Sequence, residues 1–133
     1  MTKPGQEIVL ETTLENLHFI LDVNMITNIL NNLLSNAIKY SNQDSRIHLI
    51  LSESDMKLNI SVSDHGLGIP LDDQKNLFNR FFRAKNSTNI QGTGLGLNIV
   101  KKYVELMDGE ISFQSELNKG TTFNIEIPIR NEI

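Results

Sequence analysis

Residues 56–70 read MKLNISVSDHGLGIP. Every second residue from Met56 to Val62 is apolar, and this alternation predicts a β-strand that turns those side chains into the core. The next residue in phase is Asp64, so a carboxylate emerges on the apolar face immediately before Gly66-Leu67-Gly68. Because an unpaired carboxylate is costly there, Asp64 either caps the following loop or accepts a hydrogen bond from a buried ligand donor, such as an exocyclic amine.

The glycines of the chain are clustered. After Gly5 none occurs before Gly66, and five of the eight lie in two groups, Gly66 and Gly68, then Gly92, Gly94 and Gly96. Glycine allows the backbone to approach a ligand closely and to adopt positive φ. The two groups are therefore either ordinary tight turns or two backbone-built walls of one pocket.

The other segments alternate between strands and helices. Apolar residues recur every three or four positions from Val23 to about Tyr40, which predicts a helix with one buried face and Asp22 as its N-cap. The remaining predictions are extended pieces at 8–14 and 17–21, a strand at 47–51, a helix from Leu71 to about Phe82 opened by Pro70, a polar loop at 84–91, a helix from Leu95 to Met107 with Gly109 as C-cap, and a strand pair around 118–120. Helices with one apolar face beside half-polar strands predict a two-layer α/β sandwich in one domain over residues 1–133.

A row of polar side chains follows the first long helix. Asn28, Asn32 and Asn36 lie four residues apart, and Lys39 continues the row. Asparagine prefers caps and turns to helix interiors. The row is either a solvated face, or a site in which an amide oxygen ligates a hard cation such as Mg²⁺ while Lys39 meets a phosphate.

Composition excludes several function classes. The chain has 133 residues, the size of one domain, and no cysteine, so it has neither a thiol nucleophile nor a cysteine-ligated metal. Its net charge of −4 argues against nucleic acid as a partner. No apolar run approaches the ~20 residues of a membrane span, and no signal peptide opens the chain. We therefore expect a cytoplasmic domain that does not insert into a membrane.

The common phosphate-binding motifs are absent. The sequence contains no G-x-x-x-x-G-K-[ST], and Gly92-Thr93-Gly94-Leu95-Gly96 lacks the spacing and the preceding strand of a dinucleotide fold. The second glycine group does run directly into a predicted helix. Its backbone amides could therefore bind phosphate at a helix N-terminus.

Five stretches together resemble the ATP-binding catalytic domain of sensor histidine kinases. They are similar to its asparagine box (residues 32–41), first glycine box (64–70), phenylalanine box (77–83), second glycine box (92–97) and last glycine box (119–123). They occur in order over nearly the whole chain. The resemblance implies the fold that histidine kinases share with gyrase-type topoisomerases, mismatch-repair ATPases and a class of heat-shock chaperones. That fold is a mixed sheet of about five strands with three helices on one face.

The resemblance also implies ATP and Mg²⁺ as cofactors and assigns the site. Asn36 would ligate Mg²⁺ with support from Asn32, while Lys39 and Arg83 would contact phosphate; these four are the expected catalytic residues. Tyr40 would pack beside adenine, Asp64 would accept from its amino group, and Thr121 would lie near that carboxylate. Residues 84–91 would form a lid. The other expected nucleotide contacts are Gly66, Gly68, Ile69, Phe82, Gly92, Thr93, Gly94, Leu95, Gly96 and Leu97.

One position separates kinases from their hydrolytic relatives. Those relatives carry a glutamate as general base one turn before the magnesium asparagine, whereas this chain has Asn32, which takes up no proton at neutral pH. A histidine imidazole is already a nucleophile and needs no such base. We therefore expect ATP binding with weak or absent hydrolysis.

The phosphoacceptor is not in this chain. Its three histidines precede Phe19, Leu49 and Gly66, unlike the acidic residue that follows an acceptor histidine. We expect the domain to be cut from a longer kinase and to phosphorylate a histidine on a separate dimerisation domain of the same parent protein, which then serves a response regulator. The alternatives are a nucleotide-sensing module without transfer activity and an anti-sigma-type serine kinase, which the long phenylalanine box disfavours.

Overall fold

The computed structural model describes residues 5–12, 23–42, 44–78 and 96–129. Within these residues five strands form one mixed sheet. In chain order the elements are β1 (Glu7–Thr12), α1 (Val23–Tyr40), β2 (Arg46–Ser54), β3 (Lys57–Ser63), α2 (Leu71–Gln74), α3 (Gly96–Leu106), β4 (Glu110–Glu116) and β5 (Gly120–Pro128). The strand order across the sheet is β1-β2-β3-β5-β4. β1 runs parallel to β2, and the other neighbours are antiparallel.

The helices cover one face of this sheet, and the core lies between the two layers. Cross-strand pairs such as Val62 with Phe123 and Ile60 with Ile125 supply the sheet side of the core. The helical side comes from α1 and α3, whose Ile29, Val100 and Val104 are fully buried. The predicted two-layer sandwich, with about five strands and helices on one face, is confirmed.

The two long helices follow their sequence pattern closely. α1 spans the predicted Val23–Tyr40, and Asp22 lies outside the described residues. α3 ends at Leu106 through a Schellman motif, in which the Gly109 amide bonds Val104 O at 2.9 Å and the Asp108 amide bonds Glu105 O at 3.0 Å. The residue with positive φ is Asp108, at 60°, and the predicted C-cap Gly109 follows it and supplies the amide of the capping bond to Val104 O. Gly109 also passes so close to Glu126 O that a Cβ atom would not fit.

The turn between β2 and β3 corrects one predicted core residue. Asp55 and Met56 form a two-residue hairpin loop, and both have positive φ, 52° and 61°. This is the backbone of a type I′ turn, whose twist matches that of paired strands. Met56 is consequently 52% exposed, and the prediction that it belongs to the core strand is wrong.

The helix predicted from Leu71 to about Phe82 is shorter in the structure. Pro70 precedes its first residue, and α2 ends at Gln74. The chain then tightens through an Asn76 amide to Asp73 O bond of 3.1 Å and a Leu77 amide to Gln74 O bond of 3.3 Å. These turns carry Leu77 and Phe78 towards the core. The centroid of the Phe78 ring lies 5.8 Å from that of Phe113 and 6.5 Å from that of Phe123. The packing of Phe78 in this aromatic cluster prevents α2 from continuing beyond Gln74. Residues 79–82 of the predicted helix lie outside the described part of the chain.

Two further points concern the ends of the chain and the membrane. The first extended segment is a single strand, β1, while residues 13–22 lie outside the described ones. Among the helices that the structure describes, none has the length and apolar character needed to cross a membrane.

Candidate functional site

Asp64 prolongs β3 by one residue and sits at the end of the core. Its amide donates to Thr121 O at 2.9 Å, which extends the pairing of β3 with β5. Its side-chain Oδ1 accepts two amides, from Gly66 at 3.0 Å and from Thr121 at 3.2 Å. Within the described residues Oδ2 accepts no hydrogen bond. One carboxylate oxygen therefore caps the loop, and the other is left for a different donor.

The environment of Asp64 is unusual for a carboxylate. Burial raises the pKa of this carboxyl group above its ordinary value, while the amides of Gly66 and Thr121 and the charge of His65 oppose that rise. A partly buried carboxylate whose pKa is perturbed is a candidate functional group. A ligand that donates a hydrogen bond to Oδ2 would stabilise the charged form in place of water.

Polar side chains form a row across three strands at this end of the sheet. Thr121 is 7% exposed and lies beside Asp64, in the same phase as core residue Phe123. Ser115 pairs with Thr121 and occupies the apolar phase of β4, two residues after Phe113. The Thr121 and Ser115 hydroxyl oxygens are 2.8 Å apart. The row Asp64–Thr121–Ser115 therefore ends the core with hydrogen-bonding groups.

Ser115 is a site residue that was not predicted from the sequence. Its hydroxyl accepts the Ile69 amide at 2.8 Å, so it also holds the loop that follows Asp64. Gln74 Nε2 donates to Ile69 O at 3.0 Å from the other side. The signal that could have found Ser115 is the one that found Asp64, a polar residue at the end of an apolar alternation.

The first glycine group is required by the packing of its own loop. A side chain at Gly66 would collide with Tyr40 O, and one at Gly68, whose φ is +68°, would collide with Glu116 O. The loop is further bonded from both sides, by the Leu67 amide to Tyr40 O at 3.1 Å and by the Asn118 amide to Leu67 O at 2.7 Å. Loop 64–70 is thus pinned between the end of α1 and the β4–β5 turn, and contact of its glycines and Ile69 with a ligand stays a prediction.

The asparagine row lies on α1 as predicted. Asn28 is exposed, whereas Asn32 and Asn36 are half-buried, and a role of the row in binding a cation stays a prediction. Asn32 Nδ2 donates back to Asn28 O at 2.8 Å, and its Oδ1 faces Gly96, where an added Cβ would lie 3.0 Å away. The start of α3, which also carries the half-buried Leu97, therefore meets the middle of α1.

The described part of the chain offers few ligands for a divalent cation. Among the described residues, no three His, Asp or Glu side chains gather into a group that could hold a metal. Asn36 offers one amide oxygen, a donor type that Mg²⁺ accepts. Mg²⁺ commonly takes one or two protein ligands and completes its shell with substrate phosphates and water. The donor set therefore fits Mg²⁺ bound together with a nucleotide.

The structure brings some of the predicted site residues together. Asp64 and Thr121 share a hydrogen bond, and Tyr40 contacts Gly66 and Leu67 of the Asp64 loop through its carbonyl. Lys39 is exposed on the last turn of α1. The predicted residues that lie outside the described part of the chain are Phe82, Arg83, Gly92, Thr93, Gly94 and Leu95, together with the lid at 84–91.

The family of the chain follows from its sequence match. Residues 21–131 match the family described as histidine kinase-, DNA gyrase B-, and HSP90-like ATPase. The chain belongs to this family. The resemblance to sensor histidine kinases, which the five stretches predicted, is confirmed.

Individual relatives in this ATPase family point to histidine kinases. The chain is 42% identical over 94 residues to ArlS of Staphylococcus aureus, a signal transduction histidine-protein kinase, and the match covers 69% of this chain and 21% of that protein. The chain thus spans about a fifth of the length of the curated relatives it matches.

Solved structures of histidine kinases share the fold. The mycobacterial sensor histidine kinase MprB superimposes with a TM-score of 0.81 at 30% identity, over 94% of this chain and 86% of that one. Full-length ShkA, solved in complex with AMPPNP, superimposes with a TM-score of 0.82 at 28% identity, over 96% of this chain and 26% of that one. The chain therefore has the fold of histidine kinase ATP-binding catalytic domains.

Proposed function

We propose that residues 1–133 act as the ATP-binding catalytic domain of a longer sensor histidine kinase, transferring the γ-phosphate of Mg-ATP to a histidine on a separate dimerisation domain. The observation that carries the proposal is the half-buried Asp64, whose Oδ1 caps its own loop while its Oδ2 accepts no hydrogen bond from the residues that the structure describes. Adenine presents an exocyclic amine, the kind of donor that such an oxygen accepts. The AMPPNP bound by ShkA supports a nucleotide as the ligand.

The asparagine row supplies the phosphate end of the proposed site. Asn36 holds Mg²⁺ through its amide oxygen, and Asn32 supports it from one turn earlier. The cation, when bound, neutralises charge on the phosphates. Lys39 and Arg83 contact phosphate oxygens, and the second glycine group with its neighbours (residues 92–97) offers backbone amides to them.

Transfer in this site depends on positioning. A nitrogen of the acceptor imidazole attacks the γ-phosphorus as the bond to the β–γ bridging oxygen breaks, and ADP leaves with that electron pair. Asn32 Nδ2 already donates to Asn28 O, and an amide side chain takes no proton from water. Asn32 therefore cannot act as the general base for hydrolysis of ATP, whereas phosphorylation of an imidazole needs no such base.

The proposed partners follow from this reaction. The acceptor is the histidine-bearing dimerisation domain of the same parent protein, and a response regulator receives the phosphate from it. The proposed location of this domain is the cytoplasm, which is compatible with a membrane-bound parent protein. Nucleic acid is not a proposed partner, since the net charge is −4.

The test mixes this chain with its helical acceptor domain and γ-labelled ATP. We expect an acid-labile, base-stable phosphate on the acceptor, as a phosphohistidine gives. Asn36→Ala should lose both this phosphate and the metal-dependent binding of ATP. Asn24→Ala, at the exposed start of the same helix, is the matched control and keeps both. ATP binding without any labelled acceptor would contradict the kinase and favour a nucleotide-sensing module; unchanged ATP binding by Asn36→Ala would refute the magnesium assignment.

A further inference from the structure

Gln6, directly before β1, is a buried polar residue that is not among the predicted site residues. It is 8% exposed. Its Nε2 lies 3.2 Å from Ile38 O, 3.3 Å from Ser41 O and 3.2 Å from Asn42 O. These carbonyls belong to the last turn of α1 and the residues leaving it, where a helix has exhausted its own amide donors. Gln6 therefore caps the carboxyl end of α1 from a distant part of the chain.

The backbone next to Gln6 is part of the sheet. The Glu7 amide donates to Ser45 O at 3.1 Å, and the pairing of β1 with β2 begins there, with Glu7 opposite Arg46. The segment around Gln6 is thus fixed by the sheet. Its side chain connects that rigid edge to the end of the helix.

The other side of this helix end carries the Asp64 loop. Tyr40 O accepts the Leu67 amide at 3.1 Å, and Ser41 pairs with Gly66 in an isolated bridge. Gly66 is packed so closely on Tyr40 O that a Cβ would collide with it. Since the Gly66 amide also bonds Asp64 Oδ1, a shift of the α1 end moves the loop that presents Asp64.

We propose that Gln6 is a positioning residue of the nucleotide site, acting through the carboxyl end of α1. Its amide fixes the turn that carries Lys39 and Tyr40, and this turn fixes the loop of Asp64. The inference rests on the proposed function only for the identity of the ligand. The cap itself and its effect on the loop are properties of the protein without nucleotide.

The test compares variants that change the donors of this one side chain. Gln6→Glu keeps the shape but presents oxygens to the three carbonyls, and Gln6→Met keeps the length without hydrogen bonds. Gln6→Lys restores donors and places a cation at a helix C-terminus, where it is favourable. Ile127→Val is the matched control, because it weakens the buried core beside Leu58, at the end of the sheet away from Asp64.

Two quantities are measured on the whole chain, at a temperature where circular dichroism shows every variant folded. The first is hydrogen exchange of the Leu67 amide without nucleotide, and the second is the Kd for Mg-ATP by calorimetry. We expect Gln6→Glu and Gln6→Met to lower the protection of Leu67 and to raise Kd, each roughly tenfold, the size of one lost hydrogen bond. Gln6→Lys should stay within about threefold of the unmodified chain in both, and Ile127→Val should lower only the melting temperature.

Two results would overturn the inference, and a third would separate its failure from that of the proposed function. If Gln6→Met behaves like Ile127→Val, losing stability with Leu67 protection and Kd unchanged, Gln6 serves stability alone. If Leu67 protection falls but Kd does not, the loop is not positioned for nucleotide by this cap. If the unmodified chain binds no ATP, the proposed function fails, and a loss of Leu67 protection in Gln6→Met would still identify the cap independently.

Discussion

Substituting Asp64 by Asn separates the two roles of this carboxyl group. The Asn Oδ1 can still accept the Gly66 and Thr121 amides, so the loop should keep its cap. The substitution also removes a partly buried charge, and we therefore expect no decrease in the free energy of unfolding. The Asn Nδ2 would take the position of Oδ2 and present donors to an adenine amine. We expect the affinity for ATP to fall about 10- to 100-fold, the loss of a hydrogen bond to a charged group, in a calorimetric titration.

GTP and a second acid provide the controls for this substitution. Guanine carries an oxygen acceptor where adenine carries its amine, so Asp64→Asn should narrow the preference for ATP over GTP. Asp72→Asn, an exposed acid on the short helix α2, should leave both affinities unchanged. An unmodified chain that binds ATP and GTP equally would contradict adenine recognition by Asp64.

The raised pKa of Asp64 gives this residue a pH dependence of known sign. A hydrogen bond from adenine selects the carboxylate, so ATP affinity should decrease as pH falls through the raised pKa. Stability without nucleotide changes in the opposite sense. The folded protein holds this proton more tightly than the unfolded chain, so the stabilisation is fully present below the unfolded pKa and is lost as pH rises through the folded pKa. Asp64→Asn should lack the contribution of this group to both slopes, and slopes unchanged from those of the unmodified chain would assign them to other groups.

Elements with a long, consistent period were the ones that the sequence predicted well. α1 has eighteen residues of one pattern and matches its predicted bounds. α2 was predicted too long because periodicity does not register that Phe78 is drawn to Phe113 and Phe123, which lie far along the chain. Asp64 was found because its strand has a clear phase. Gln6 has no such pattern around it, and its partners lie more than thirty residues away, so only the folded structure reveals its role.

The β2–β3 hairpin is an element in which the turn residue and the turn geometry disagree. Met56 holds a φ of 61°, which costs a non-glycine residue about 1–2 kcal/mol, and its side chain is half exposed. Met56→Gly creates the Asp-Gly pair that type I′ turns favour. We expect urea denaturation to show a gain of roughly 0.5–1 kcal/mol after the entropy cost of glycine. Asp55→Gly should gain less, because Asp tolerates this φ, and a loss of stability in Met56→Gly would contradict the turn assignment.

For the whole molecule, the proposed function predicts that the chain alone binds ATP but hydrolyses it only slowly. The residues of the proposed site belong to the same chain as the hydrophobic core, so the chain alone should bind Mg-ATP. Hydrolysis by water lacks a general base at Asn32, and the absence of such a group costs about 10²–10⁴-fold in rate. We therefore expect the chain alone to release ADP at least about a hundredfold more slowly than it phosphorylates an imidazole on its acceptor domain, both measured in single-turnover assays with labelled ATP. Equal rates in the two assays, or turnover on ATP alone at the level of a dedicated ATPase, would show that the site activates water and that the reaction does not depend on a histidine partner.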